Sequence, residues 1–309
     1  MGIGLALQLA IAAVVLLTPW GAGVFDTLSS GFVKLLGFTT EGARFIFGDF
    51  SDPSKFGFVF AFQVLPTIIF FASFMSVLYH LGAMQKIVQG MAWVITKLMR
   101  VSGAETLSVC ANAFIGQTEA PLVVRPYLKG LTEPQMFAVM VSGLASVAGT
   151  VLAAYVLMGA EMKYLLAASF MAAPGGLLMA KILMPDDEAG VDTVDKSGLM
   201  MEESKHANVI LAAAVGAGDG VRLAVNIGAM LIAFVALIAL FNGIVGGIAG
   251  WFGVEDLTLQ KILGWVFSPL MFLLSVPWSE AEAAGALFGE KLILNEFVAF
   301  SHLNDYLAG

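Results

Sequence analysis

The chain has 309 residues, 59% of them hydrophobic and only 12% charged, with a net charge of −8 and a mean hydropathy of +0.90. Soluble domains carry about 25% charged residues, so this composition excludes a soluble enzyme and defines an integral membrane protein. The acidic balance and the lack of a basic run of the kind that holds a nucleic-acid backbone argue against nucleic acid as a partner, and the single cysteine, Cys110, forms no internal disulfide and reads as a small packing residue.

Taken in chain order, the run Ile3–Trp20 has no Lys or Arg before it, which argues against a cleaved secretory signal and for a membrane helix. Further apolar spans are expected at Gly57–Met84, Glu133–Ala160, Met162–Met184 and Leu223–Ile248, each long enough to cross a bilayer, with a short polar-interrupted one at Ile293–Tyr306. Phe32–Phe50 and Gln85–Arg100 mix basic and acidic or basic residues with large apolar ones and read as interfacial segments. Pro185–His206, with seven acidic residues and two lysines, reads as a solvated linker.

Two stretches do not fit a simple crossing. The apolar run from Ala104 to Leu128 is interrupted by Gly116-Gln117-Thr118-Glu119-Ala120-Pro121, leaving arms of about 11 and 8 residues, roughly 17 and 12 Å of helix. Ile262 to Glu290 is interrupted likewise at Pro277-Trp278-Ser279-Glu280. Arms this short predict re-entrant hairpins. Thr118 is expected to cap the second arm of the first, with Pro121 in its first turn, and Ser279 with Glu282 to form a capping box in the second. The tips Thr118-Glu119-Ala120 and Ser279-Glu280-Ala281 are alike and stand about half the chain apart, as in transporters built from inverted repeats. With the span from Gly57 running inward, Lys86, Lys97, Arg100, Arg125, Lys129, Lys181, Lys196 and Lys205 fall inside against Lys34, Arg44, Lys55, Lys163 and Lys261 outside, a mild positive-inside bias.

Ionisable side chains at membrane depth are costly and point to function. Here Asn112, Gln117, Thr118 and Glu119 gather at the first tip, and Asn295 and Glu296 open the last span. A cap alone would need no buried carboxylate, so Gln117, Glu119 and Glu296 are candidate contacts for a polar solute. Asn112 and Ser146 fit either interhelical bonding or a site. Glu280 and Glu282 read as helix-start residues, and Asn226, Arg125, His80 and His302 as structural or interfacial. The histidines lack zinc-ligand spacing, and "AAPGGLL" at Ala172–Leu178 lacks the Lys and Ser/Thr of a phosphate loop. An ATP-driven pump and an intramembrane protease are thereby disfavoured.

The segments "GQTEAPLVVRPYL", "SFMAAPGGLLMAKILMP", "NIGAMLIAFVALIALFNGIVGGIAGWFG", "VPWSEAEAAGALFG" and "NEFVAF" together resemble the concentrative nucleoside transporters, particularly the bacterial sodium-coupled members, over nearly the whole chain. The resemblance implies an all-α integral membrane fold with two re-entrant hairpins and inverted repeats, working as a homotrimer in the bacterial cytoplasmic (inner) membrane and moving nucleoside with sodium by an elevator-type mechanism. It implies scaffold spans and interfacial helices over 1–101, a first transport-domain repeat over 102–184 with its hairpin at 102–128, the acidic linker at 185–206, an interfacial helix and scaffold span over 207–261, and the second hairpin with the start of the second repeat over 262–309. Carried over residue by residue, Gln117, Thr118 and Glu119 face the nucleobase, Val151 and Leu223 line its apolar side, and Glu296 holds the ribose hydroxyls. The sodium ion takes the side chains of Asn112 and Ser146 with the carbonyls of Ile115 and Val147, and no other cofactor is implied. Family members carry a further N-terminal span and a last span completing the ribose site, so the chain is expected to be shortened at both ends. Two other readings stay open: proton coupling through Glu119 or Glu296, and a membrane binding protein that does not transport.

Overall fold

The computed structural model describes residues 2–116, 120–125, 127–186, 206–254 and 257–307. All regular structure among them is helical: α1 (Gly2–Leu17), α2 (Pro19–Phe47), α3 (Pro53–Phe56), α4 (Phe60–His80), α5 (Ala83–Met99), α6 (Gly103–Ile115), α7 (Ala120–Val123), α8 (Glu133–Ala145), α9 (Gly149–Leu157), α10 (Met162–Leu183), α11 (Val209–Trp251), α12 (Leu259–Leu273), α13 (Trp278–Ile293), α14 (Glu296–Ser301) and α15 (Leu303–Leu307), with short 3-10 turns at Gly48–Ser51 and Leu128–Gly130. Four stretches are long and apolar enough to cross a membrane, namely α4, α8 with α9, α10 and α11, and the bent pairs α1–α2 and α12–α13 bring the number to as many as six among the described residues. The four single stretches cover four of the expected spans, but the run Ile3–Trp20 passes only together with α2, into which α1 bends by 80°, the short span expected at Ile293–Tyr306 is divided between α14 and α15, and α11 is a single 43-residue helix where an interfacial helix followed by a span was expected. At about 1.5 Å per residue it is about twice the ~30 Å thickness of the hydrocarbon core.

The chain forms two compact units, residues 1–154 with 161–222 and residues 155–160 with 223–309. In the first, α6 is sandwiched against α5, α8 and α10, and α1 packs on α10 and α2. Val88, Ala92 and Ile95 of α5 meet Leu107, Cys110 and Ala111 of α6 and Leu177 of α10 in one apolar core; Cys110 is the packing residue expected. Helix α6 starts with a capping box in which the Ser102 backbone N–H donates to Glu105 Oε1 at 2.8 Å. Glu105 is fully buried, and its other oxygen lies 2.8 Å from Lys181 Nζ of α10, which also reaches Asp186 at 2.6 Å. The foot of the first hairpin is thus tied to α10 by a desolvated ion pair.

In the second unit, α12 and α13 meet at 117° across a four-residue break, the geometry expected of the second hairpin. Its first arm has 15 residues, the length of the run from Ile262 to Val276, and its second has 16, longer than the run from Ala281 to Glu290 implied. The capping box expected at Ser279 and Glu282 does not form: α13 begins two residues earlier, with Pro277 at the cap, and Ser279 lies exposed inside the first turn. Proline pre-sets the turn into a helix, and Ser275 two residues before it takes the left-handed conformation at φ 70°, so the chain reverses without a side-chain cap. In the first hairpin α6 has the expected length and Pro121 sits in the first turn of α7, but α7 lasts one turn before the chain passes into a 3-10 segment. Thr118 lies outside the described residues, as does linker 187–205.

Breaking a buried ion pair from one side leaves an uncompensated charge. Lys181→Met should therefore destabilise the detergent-purified protein by about 3–5 kcal/mol, whereas the double change Glu105→Leu with Lys181→Met should restore most of the loss. Thermal unfolding of both variants checks this; equal losses in the two would remove the pair from the account.

Candidate functional site

The span made by α8 and α9 is interrupted at Ser146-Val147-Ala148, where Ser146 adopts extended backbone. Such an end leaves the last carbonyls of α8 without helical partners, and within a membrane each must find one. Asn112 of α6 supplies it. Its side chain is 2% exposed, and Nδ2 donates to Ser142 O at 3.0 Å and lies 3.3 Å from Gly143 O, with the Ser146 hydroxyl also in contact. Close approach is enforced by glycine: a Cβ on Gly149 would stand 2.8 Å from Phe114 O and 3.1 Å from its Cα, and Gly116, at φ 90° beyond the end of α6, lies against Ala148.

Three oxygens therefore converge on one amide nitrogen that has only two protons to give, while Asn112 Oδ1 is buried with no hydrogen-bond partner. The amide turned by half a revolution fills the same space and presents Oδ1 to that cluster, which then consists of oxygens alone. Oxygen-only sets of this kind suit a hard cation. Of the residues expected to hold sodium, Asn112 and Ser146 are brought into contact; Ile115 closes α6 and Val147 sits in the break, both half-buried. The carbonyls of Ser142 and Gly143 were not foreseen.

The second unit places Glu296 in the first turn of α14, whose start is fixed by Asn295 Oδ1 accepting from the Val298 N–H at 3.0 Å. Tyr155, fully buried, donates its hydroxyl to Glu296 Oε1 at 3.2 Å. Its ring stacks on Phe300 at 4.3 Å and leans on Phe297 at 4.9 Å, so the hydroxyl is held by packing. Glu296 lines a cavity of about 190 Å³ that is otherwise apolar apart from Lys291. A second cluster was missed in the sequence: fully buried Glu290 accepts from Gln260 Nε2 at 2.9 Å and lies 2.9 Å from His302 Nδ1, and Gln260 in turn accepts from Asn242 at 3.1 Å. The structural role expected of His302 is consistent with this.

Gln117, Thr118 and Glu119 lie outside the described residues, and Leu122 in α7 is described by its backbone alone. Val151 is 7% exposed in α9 and Leu223 half-buried in α11. Tyr155 carried one legible signal, being the sole hydroxyl-bearing aromatic in "VLAAYVLMG". Glu280 is exposed in the first turn of α13, as a helix-start residue is, and Glu282 is exposed just beyond it.

A broken span next to a short re-entrant arm, with polar side chains gathered at the break, defines a multi-pass membrane transporter. Residues 164–308 match the model described as Na+ dependent nucleoside transporter C-terminus, residues 1–50 match that of the N-terminus, and residues 61–162 match one described as nucleoside recognition. The nucleoside permease NupC of Helicobacter pylori is 45% identical over 97% of this chain and 72% of its own length. An uncharacterized transporter of Haemophilus influenzae is 47% identical over 98% of this chain and 72% of its own, and sodium/nucleoside cotransporter 2 of Rattus norvegicus is 39% identical over 98% and 45% respectively. The structure of CNTnw in an inward-facing substrate-bound state superposes with a TM-score of 0.91 at 49% identity, covering 99% of this chain and 73% of that one. The chain belongs to the concentrative nucleoside transporter family, whose members are transporters and not enzymes.

If the hydroxyl of Tyr155 holds Glu296, Tyr155→Phe should cost about 1–3 kcal/mol, as for a lost hydrogen bond to a charged or buried group. Tyr155→Ala should cost about 3–5 kcal/mol through the lost ring. Unfolding midpoints in detergent measure both, and a Tyr155→Phe protein as stable as the parent would show that the hydroxyl holds nothing.

Proposed function

We propose that this protein is a sodium-coupled nucleoside symporter, importing nucleosides across the bacterial cytoplasmic membrane as a homotrimer by an elevator-type movement. The observation that carries sodium coupling is the set of oxygens of Ser142, Gly143 and Ser146 around the Asn112 amide, whose own oxygen is buried and unpartnered. In this reading the side chains of Asn112 and Ser146 and the carbonyls of Ile115 and Val147 hold the ion, with Ser142 and Gly143 at hand. A bound cation supplies positive charge at the C-terminal end of α8, where the helix dipole favours it.

Gln117, Thr118 and Glu119 read the nucleobase, since an amide and a carboxylate together meet both the donors and the acceptors of its edge. Val151 and Leu223 give the base an apolar wall. Glu296, oriented by Tyr155, accepts from the ribose hydroxyls. Membership of the family and the nucleoside permeases and cotransporters among its relatives support the nucleoside as substrate. A site built on such pairing rejects solutes lacking the groups, because its own buried polar atoms would be left unpaired.

Uptake of radiolabelled uridine by cells expressing the protein, with sodium replaced by choline, tests the coupling. Asn112→Leu should raise the sodium concentration for half-maximal uptake at least tenfold while leaving expression and membrane insertion intact; uptake indifferent to sodium and driven by a pH gradient would replace sodium with protons. Gln117→Ala and Glu119→Ala should each weaken uridine binding by about 1–3 kcal/mol. Unchanged affinity in both, measured by calorimetry, would leave these residues as helix-capping groups only.

A further inference from the structure

The outer face of α5 has no place in the transport reading. Its inner face, Met84, Val88, Ala92 and Ile95, is buried against the first unit. What remains exposed is divided lengthwise. Lys86, Trp93, Lys97 and Arg100 recur at helical spacing along one stripe, and Ile87, Val94 and Leu98, 48%, 42% and 43% exposed, along the neighbouring stripe one residue on. Lys97 Nζ lies 4.9 Å over the Trp93 ring, and Trp93 is itself 64% exposed.

The helix is too polar to span, so its apolar stripe and its cationic stripe must both be met at one depth, which is the anatomy of a helix lying in the plane of a membrane surface. No acidic residue occurs between Asp52 and Glu105, and among the described residues none of the three cations is in a salt bridge. Arg100 is also held in the left-handed conformation, φ 57° and ψ 41°, at the end of α5, a position at which helices ordinarily place glycine.

The side of the membrane follows from length. With 13 residues α6 is only about 20 Å long, short of the ~30 Å core, so the chain returns to the side it left, and Arg125 and Lys129 join Lys86, Lys97 and Arg100 there. That concentration of cations marks the cytoplasmic face, whose leaflet carries the anionic lipids. We propose that the outer face of α5 is a binding surface for anionic phospholipid headgroups of the cytoplasmic leaflet, with Lys86, Lys97 and Arg100 on the phosphates, Trp93 at the boundary and Ile87, Val94 and Leu98 among the acyl chains.

The test is the protein in nanodiscs of phosphatidylcholine alone or with 30% phosphatidylglycerol, read as its melting temperature and as phosphatidylglycerol retained on detergent extraction. The parent should melt higher and retain the anionic lipid in the mixed discs. Each cation neutralised should lower apparent lipid affinity roughly fivefold, and K86Q/K97Q/R100Q together roughly a hundredfold. The charge-keeping K86R/K97R/R100K should behave as the parent, and Lys55→Gln, a lysine on the opposite face paired with Asp49 at 2.7 Å, should keep the full lipid effect. The proposal is overturned if the triple glutamine variant retains the lipid like the parent, if the parent shows no preference for phosphatidylglycerol, or if inorganic phosphate added to phosphatidylcholine discs reproduces the shift.

Discussion

A bilayer offers no water to an unpaired carbonyl, so a helix that stops inside it must be completed by something else. The break at residues 146–148 is such a stop, and the arrangement of the first unit follows from the need to complete it. Asn112 faces Ser142, Gly143 and Ser146 because α6 enters the membrane only part of the way and ends beside the break. Gly149 and Gly116 lack side chains where the two interrupted helices come closest. One amide cannot serve three acceptors and its own oxygen at once, so the hydrogen bonding at the break is left incomplete; under the proposed function a cation completes it.

Around this point the protein uses buried charge as an anchor. Glu105 and Lys181 fix the foot of α6 on α10 in the first unit. In the second, Glu290 is held by Gln260 and His302 near the C-terminal end of α13, and Tyr155 holds Glu296 at the start of α14. Each of these carboxylates is expensive in an apolar medium unless partnered, and each partner comes from outside the carboxylate's own helix. The charges therefore specify which helices meet, more than how strongly the chain is folded.

Much of this was legible before any coordinates. Span positions follow from apolar runs of about 20 residues, and the two interrupted segments were visible because polar tripeptides stand inside otherwise apolar stretches. Asn112 and Ser146 could be named, since an amide and a hydroxyl in such surroundings need partners. Their common partners, the carbonyls of Ser142 and Gly143, could not, because a backbone oxygen leaves no mark in a sequence. Glu105 and Glu290 escaped notice for another reason: each stands near a helix end, where a carboxylate is ordinarily a solvated capping group, and only the fold shows it fully buried. The capping box expected at Ser279 failed because Pro277 already directs the chain into the helix.

The central claim is that ion and nucleoside stabilise the same state of the protein, each through oxygens and amides the other leaves in place. Linkage makes this testable in both directions, since a ligand that tightens the binding of another must be tightened by the same factor in return. The direct measurement is a pair of calorimetric titrations on the purified protein, uridine into protein with sodium or with choline, and sodium into protein with or without saturating uridine. The account predicts that sodium strengthens uridine binding and that uridine strengthens sodium binding by an equal factor, with potassium inert. Uridine binding of the same strength in choline as in sodium would contradict it.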